Sequence, residues 1–432
     1  MTENNILNDP TVYLMLEIEK RELPARLLLT KYLLNNFSRV VIFQHSELDY
    51  ISMFSKPGII VFKSLPKTFN HSLILLKKRG FVIILSHEEG LHFNSFSTSD
   101  ISISNIHLNK IDHYLAWHEF DKQFAIYNGI SVDKISVVGN IRFQIANQNK
   151  FRFPSPQECI KIIILDNHLN SVNIIREKHK GNTEQIILIK DLENLNKKNL
   201  NNKIMYRDLY SGLKRLKIDF RVREYSYGAE NSDLADLEVP LDRSFSIFDS
   251  IKDRNIVIHY GSTGGLEAIL SGRLSIILSH PENHIDPRIR TVSMQFNDSN
   301  QLLDYLLHFS VDTLNELQST QEELLISTYG IDFRKIDSAK SIVDVIEGLR
   351  NSVGPKNFSA YFHMTIIASF VIGSTLRYKL SRLLRRQQHY FKKAYPFSFE
   401  RVIGELKKLN IDIENWLINI SRKGKMIDIT AR

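Results

Sequence analysis

A chain of 432 residues is long enough for about two or three domains, each able to bury its own core. Its 43% hydrophobic and 24% charged residues are the proportions of a globular protein. A single cysteine, Cys159, excludes a disulfide framework and a cysteine-rich metal site, and suits a reducing compartment. The net charge of +8 comes with no RNA-binding signature or zinc-finger spacing, so nucleic acid is not an expected partner. Met1 to Pro10 is polar and no apolar leader follows, which points to chemistry in the cytoplasm.

The first 150 residues alternate apolar strands with amphipathic helices. Strands are expected at Thr11 to Ile18, Arg39 to Phe43, Ile59 to Phe62 and Phe81 to Leu85, and helices at Leu23 to Asn35 and Asn70 to Arg79. A further helix is read from Tyr114 to Asn128, then the strand Ile135 to Val138 and a turn, Gly139-Asn-Ile-Arg142. Such alternation implies a mostly parallel sheet covered by helices. A linker is expected near Asn147 to Gln157, around Pro154 and Pro156. A second α/β domain, 157–350, then opens at Lys161-Ile-Ile-Ile-Leu165 and continues through a polar helix around Asn194 to Arg215, a strand at Phe220 to Arg223 and an acidic loop, Asn231 to Arg243. Helices follow around Gln301 to Phe309 and Thr313 to Ser327.

Residues 351–432 read as a helical, basic extension. Asn357 to Leu376 contains no Asp, Glu, Lys or Arg, and a basic cluster follows from Arg377 to Lys393. A membrane span needs about 20 mostly apolar residues, and this stretch reaches that length only by including several Ser, Thr and Asn. A buried helix and an interfacial helix on the inner membrane surface are therefore the two leading readings.

The most informative segment lies in the second domain. Asn255-Ile-Val-Ile-His259 reads as a buried strand, Gly261-Ser-Thr-Gly-Gly265 as a turn, Leu266 to Leu270 as a short helix, and Leu274 to Leu278 as the next strand. A helix N-terminus at the carboxyl edge of a sheet attracts anions through its amides and its dipole. Ser262 and Thr263 add hydroxyl donors, and Gly261, Gly264 and Gly265 would let a phosphate approach the backbone. A tight turn that needs glycine only for geometry is the alternative. Neither a Walker loop nor a G-x-G-x-x-G fingerprint is present. His87-Glu-Glu-Gly-Leu-His92 is one residue too long for H-E-x-x-H, so no metal is expected there.

In length and order this unit resembles the donor-nucleotide unit of GT-B glycosyltransferases. Leu16-Glu-Ile-Glu-Lys-Arg-Glu-Leu-Pro-Ala-Arg-Leu-Leu-Leu29, Leu85-Ser-His-Glu-Glu-Gly-Leu91 and Val138-Gly-Asn-Ile-Arg-Phe143 are similar to segments of the bacterial surface carbohydrate biosynthesis proteins. The resemblance covers roughly residues 11 to 345. It implies two Rossmann-like domains facing a cleft, an acceptor-side domain over 1–150, and kinship with transferases of Kdo and similar acidic sugars. The implied partners are a nucleotide sugar, with a CMP-sugar favoured, and a glycan or lipid-linked acceptor; no cofactor or metal is implied. The sequence departs from the family at His87, where an acid is usual, and at Glu224-Tyr225, where a His-Pro pair is usual.

Glycosyl transfer needs a base or nucleophile near the sugar carbon. Glu88 and Glu89, after the fourth strand, are the first candidates, and helix-start acids complementing a dipole are the alternative. Glu19, near Glu17 and Arg21 on the acceptor-side loop, is the second. Arg142 matches a family arginine beside the interdomain hinge that would hold a carboxylate or phosphate, with a surface ion pair as the alternative. Arg223 ends a strand near the expected donor, Glu267 would accept from ribose hydroxyls or simply sit in a capped first turn, and His280 is a further cleft residue. A nucleotide-sugar epimerase of the same architecture and a catalytically silent scaffold remain rival readings.

Overall fold

The computed structural model describes residues 9–65, 69–86, 108–150, 160–166, 201–224, 238–281, 285–354, 397–421 and 424–431. They form two compact units, Met1–Gln144 with Lys335–Arg432, and Ile145–Arg334.

In the first unit, strands β1 (Thr11–Leu16), β2 (Arg39–Gln44), β3 (Gly58–Phe62), β4 (Val82–Ser86), β5 (His113–Ala116) and β6 (Ile135–Val137) pair in parallel in the order β2-β1-β3-β4-β5-β6. Helices α1 (Glu19–Leu33), α2 (Leu48–Phe54), α3 (Asn70–Arg79), α4 (Glu119–Tyr127) and α5 (Ile141–Gln148) alternate with them. The strands are apolar on both faces because helices cover both. One face carries Tyr13, Met15, Val41, Phe43, Ile60, Phe62, Ile83 and Leu85 into a single buried cluster. The order reverses between β1 and β3, and the crevice beyond the carboxyl ends of those two strands is where open α/β sheets bind ligands.

The second unit repeats the plan. Strands β7 (Lys161–Asp166), β8 (Asp219–Glu224), β9 (Ile256–His259), β10 (Leu274–Leu278) and β11 (Met294–Phe296) form an all-parallel sheet, β11-β10-β9-β7-β8. A helix over 201–215 (α6) precedes β8. It is followed by α7 (Ile247–Ile251), α8 (Gly264–Leu270), α9 (Pro287–Val292), α10 (Ser299–Leu307) and α11 (Val311–Tyr329). Alternate residues of β7 split between two cores: Ile162 and Ile164 face α6, α10 and α11, whereas Ile163 and Leu165 pack with Val257, Ile251 and Ala268. The switch in strand order falls between β7 and β9, so the Gly261–Gly265 turn leaves the sheet at that point.

Three features differ from the sequence reading. Tyr114 to Ala116 is strand, not helix: the segment is buried between β4 and β6, and α4 starts only after His118, whose Nδ1 accepts from the Asp121 amide. The division between units falls at residues 144 and 334 instead of near 150 and 350. Helix α12 (Ser338–Gly348) belongs with α1, tied by Tyr32 and Gln144 to Asp337 and by Asn36 to Glu347. Finally, the region after 396 adds α13 (Phe399–Lys408) and also a hairpin, β12 (Trp416–Ser421) and β13 (Met426–Ala431). The hairpin extends the first sheet antiparallel to β2, with Ile427 and Ile429 fully buried. Asn357 to Leu376 and Arg377 to Lys393 lie outside the described residues. Among the described residues no helix is long and apolar enough to cross a membrane.

Candidate functional site

In the second unit, β9 ends at His259, and the turn that follows is largely self-satisfied. The Ser262 amide donates to His259 Nδ1 at 3.0 Å, the Gly264 amide to Ser262 Oγ at 3.1 Å, and the Gly265 amide to the Ser262 carbonyl at 3.0 Å. Leu266 and Glu267 donate to the Thr263 carbonyl. The amides of Gly261 and Thr263 take no part in these bonds, and Thr263 is itself buried.

Each glycine has a geometric reason. Gly261 has φ +65°, which favours glycine. A Cβ on Gly264 would overlap Leu165 and Ile247, and one on Gly265 would overlap the His259 ring and Ser275 Oγ. Gly265 is therefore small because an imidazole packs against it.

His259 is fully enclosed. Its Nε2 lies 2.8 Å from Ser275 Oγ, which lies 2.9 Å from Ser293 Oγ. Burial depresses the imidazole pKa to about 3, so the ring is neutral at physiological pH. Because Nδ1 accepts from an amide, the proton sits on Nε2 and is donated to Ser275.

Arg223 is a clamp. Its guanidinium donates to Asp242 Oδ2 at 3.1 Å, Ser250 Oγ at 2.6 Å, the Ser244 carbonyl at 2.8 Å and the Phe245 carbonyl at 3.0 Å. Burial pushes the Asp242 carboxyl up, but hydrogen bonds from Ser244 and Ser250 and the Arg223 charge outweigh it and hold the group below its ordinary value. Holding the 242–250 segment accounts for Arg223 without a ligand. Glu267, in the first turn of α8, is fully buried. His280 follows β10, with its amide donating to Asn202 Oδ1 at 3.0 Å. The turn and His280 thus stand beyond the carboxyl ends of neighbouring strands β9 and β10.

The first unit holds a different chemistry at its own switch point. Lys63, directly after β3, donates to Glu17 at 2.9 Å and to Glu22 at 2.7 Å, and the other Glu22 oxygen accepts from the Glu17 amide at 2.7 Å. Lys63 is 4% exposed and Glu22 1%. Burial alone would lower the ammonium pKa, but the two carboxylates reverse this and raise it. Arg26, equally buried, donates to the Met15 carbonyl at 3.0 Å and fixes the middle of α1 to the end of β1.

Glu19 opens α1 and is 3% exposed. Arg401 of α13 donates to both of its oxygens, at 3.0 and 2.9 Å. Burial raises the Glu19 pKa, and Arg401 only partly offsets it. Arg142 is 4% exposed at the start of α5, its amide donating to Asn140 Oδ1 at 2.8 Å, so a surface ion pair is not its setting. Glu88 and Glu89 lie outside the described residues. The sequence reading had not singled out Lys63, Glu22, Arg401 or His259. Among the described residues no group of three or more His, Cys, Asp or Glu is arranged to hold a metal.

No family model matches the chain, and no curated protein does. Solved structures do. A co-structure of Staphylococcus aureus MnaA with UDP is 12% identical and covers 81% of this chain and 100% of its own, with a TM-score of 0.52. A variant of the wall teichoic acid polymerase TagF with CDPG is 13% identical over 81% of this chain and 91% of its own, also at 0.52. A candidate UDP-N-acetylglucosamine 2-epimerase from Listeria monocytogenes is 13% identical over 81% and 99%, again at 0.52. At such identity the likeness shows the fold alone. The chain has a GT-B-like fold of two Rossmann-like domains.

Proposed function

We propose that the protein is a GT-B-type glycosyltransferase of surface polysaccharide assembly, moving a sugar from a nucleotide donor to a glycan or lipid-linked acceptor. The observation that carries this reading is the β9–turn–α8 unit. It leaves the second sheet at its switch point with two backbone amides outside the turn's own bonding, and these, with Thr263, would receive a phosphate. The neighbours include proteins captured with UDP and with CDPG, which supports a nucleotide ligand without selecting one. A CMP-activated acidic sugar such as Kdo is the first donor to try, on the resemblance of the sequence motifs. The reaction would need no resident metal or cofactor. The uncharged and basic segments between 357 and 393 would bring the enzyme to the inner membrane surface, where lipid-linked acceptors are found.

Glu88 and Glu89 are the proposed base or nucleophile. Glu19 is the weaker candidate, because Arg401 already occupies both of its oxygens. A second reading, a nucleotide-sugar epimerase, is favoured by a likeness to the Listeria protein equal to that shown to TagF. Incubation with CMP- and UDP-sugars separates the two. A transferase releases nucleotide only when acceptor is present, whereas an epimerase interconverts free UDP-sugar without one. For the transferase, Glu88→Gln or Glu89→Gln lowers turnover by about a hundredfold while nucleotide affinity holds. Full turnover in both variants removes these carboxylates from the mechanism.

A further inference from the structure

A histidine buried in a sheet costs stability unless both ring nitrogens are satisfied. His259 meets this requirement with partners from two different elements. Nδ1 holds the Ser262 amide of the turn, and Nε2 donates to Ser275 on β10. Ser275 in turn meets Ser293 at the end of α9 and is gripped through its own backbone by Gln321 of α11, whose side chain accepts from the Ser275 amide at 2.9 Å and donates to its carbonyl at 2.7 Å. Gln321 is itself buried. The ring leaves no room for a side chain at position 265, so its packing also dictates the start of α8. A valine or isoleucine would fill this apolar strand position equally well. What only histidine supplies is an acceptor beneath the Ser262 amide, backed by a fixed donor on the far side of the ring.

We infer that His259 is a positioning residue for nucleotide binding. It turns the Ser262 amide inward, so that the amides of Gly261 and Thr263 and the Thr263 hydroxyl are the donors left to face the phosphate, and the Ser275–Ser293–Gln321 chain keeps the ring from rotating. The inference rests on the reading of this turn as the donor site. It predicts that affinity depends on the position of the acceptor and not on the volume of the side chain.

Two substitutions separate those ideas. In His259→Asn the amide oxygen falls near the place of Nδ1 and still accepts from Ser262. In His259→Gln the side chain reaches the place of Nε2 and leaves the Ser262 amide without its acceptor. With CMP and UDP as probes, the Asn variant binds within about threefold of the parent, and the Gln variant loses on the order of tenfold or more. Hydrogen exchange at the Ser262 amide, read without nucleotide, stays slow in the parent and the Asn variant and quickens in the Gln variant. Ser275→Ala, which keeps the ring but removes its anchor, gives an intermediate loss and serves if the Gln variant does not fold. Unchanged binding in a folded Gln variant with a fast Ser262 amide, or in Ser275→Ala, overturns the positioning role while leaving the donor site standing. A parent protein that binds neither probe overturns the donor reading itself.

Discussion

The first five strands of each sheet follow one order, and the loops at their switch points sit in equivalent topological positions, yet they are built from opposite chemistry. Beyond β1 and β3 the first unit buries charge: Lys63 between Glu17 and Glu22, and Glu19 under Arg401. Beyond β9 the second unit buries no charge on Gly261–Gly265, only Glu267 in the helical turn that follows, and relies on small residues, hydroxyls and a neutral imidazole. A buried ion pair is costly to break because the surviving partner is left charged in a poor solvent. A neutral network loses only hydrogen bonds. The first edge should therefore answer strongly to charge substitutions and to pH, and the second to shape.

The largest effect is expected at Lys63. Lys63→Met strands Glu17 and Glu22 and should cost about 3–5 kcal/mol by denaturant unfolding, with much of it regained when Glu22→Gln is added. A loss near zero would mean that this cluster is not a structural pair.

Gly265→Ala comes next, at about 1–3 kcal/mol, since a methyl group must displace the His259 ring or Ser275. If shape is the cause, the penalty shrinks when His259 is also shortened to alanine. An undiminished penalty in the double variant would point to backbone strain instead.

Arg401→Ala tests the charged edge through pH. Burial holds the Glu19 carboxyl above its ordinary value, and removing Arg401 raises it further. A folded pKa above the unfolded one favours the folded state in acid, and that advantage is lost as pH rises through the folded value. The variant should match the parent near pH 4 and fall behind it by about 1–3 kcal/mol at pH 7, with Glu19→Gln abolishing the difference. In the second unit the sign is reversed. Asp242 lies below its ordinary value, so the stability it lends is full above about pH 4 and is lost only as pH falls through its folded pKa. A parallel loss in both units on acidification would break the comparison.

How far the sequence disclosed this follows the same division. The β9–turn–α8–β10 unit was legible because all of its parts are local: an apolar run, a turn of small residues, a short helix and a second run. The Lys63 cluster was not, since Lys63 meets Glu17 and Glu22 only through the parallel pairing of β1 with β3. His259 read as one more strand residue, because periodicity reports burial and cannot report what a polar side chain finds there. The last hairpin did carry a signal, the alternation of Trp416 to Ser421 and Met426 to Ala431, which the basic character of the preceding segment obscured. The glycines were recognised, but their cause lies in Leu165, Ile247 and His259, residues that only the fold brings beside them.

The smallest structural change bears on function. Thr263→Val removes one hydroxyl and none of the turn's internal bonds, whereas Ser262→Ala also removes the acceptor for the Gly264 amide. The single valine variant is thus the cleaner probe and should weaken nucleotide binding by about 1 kcal/mol without changing the melting temperature of the free protein.

Whether the turn after β9 receives a nucleotide is decided by a thermal-shift screen of the purified protein against CMP, UDP, GDP and CDP, with Thr263→Val alongside. A ligand that binds only the folded state raises the melting temperature with concentration. At least one nucleotide should give such a rise, reduced in the valine variant. No rise with any of the four, or an equal rise in the variant and its parent, would contradict a nucleotide site at this turn.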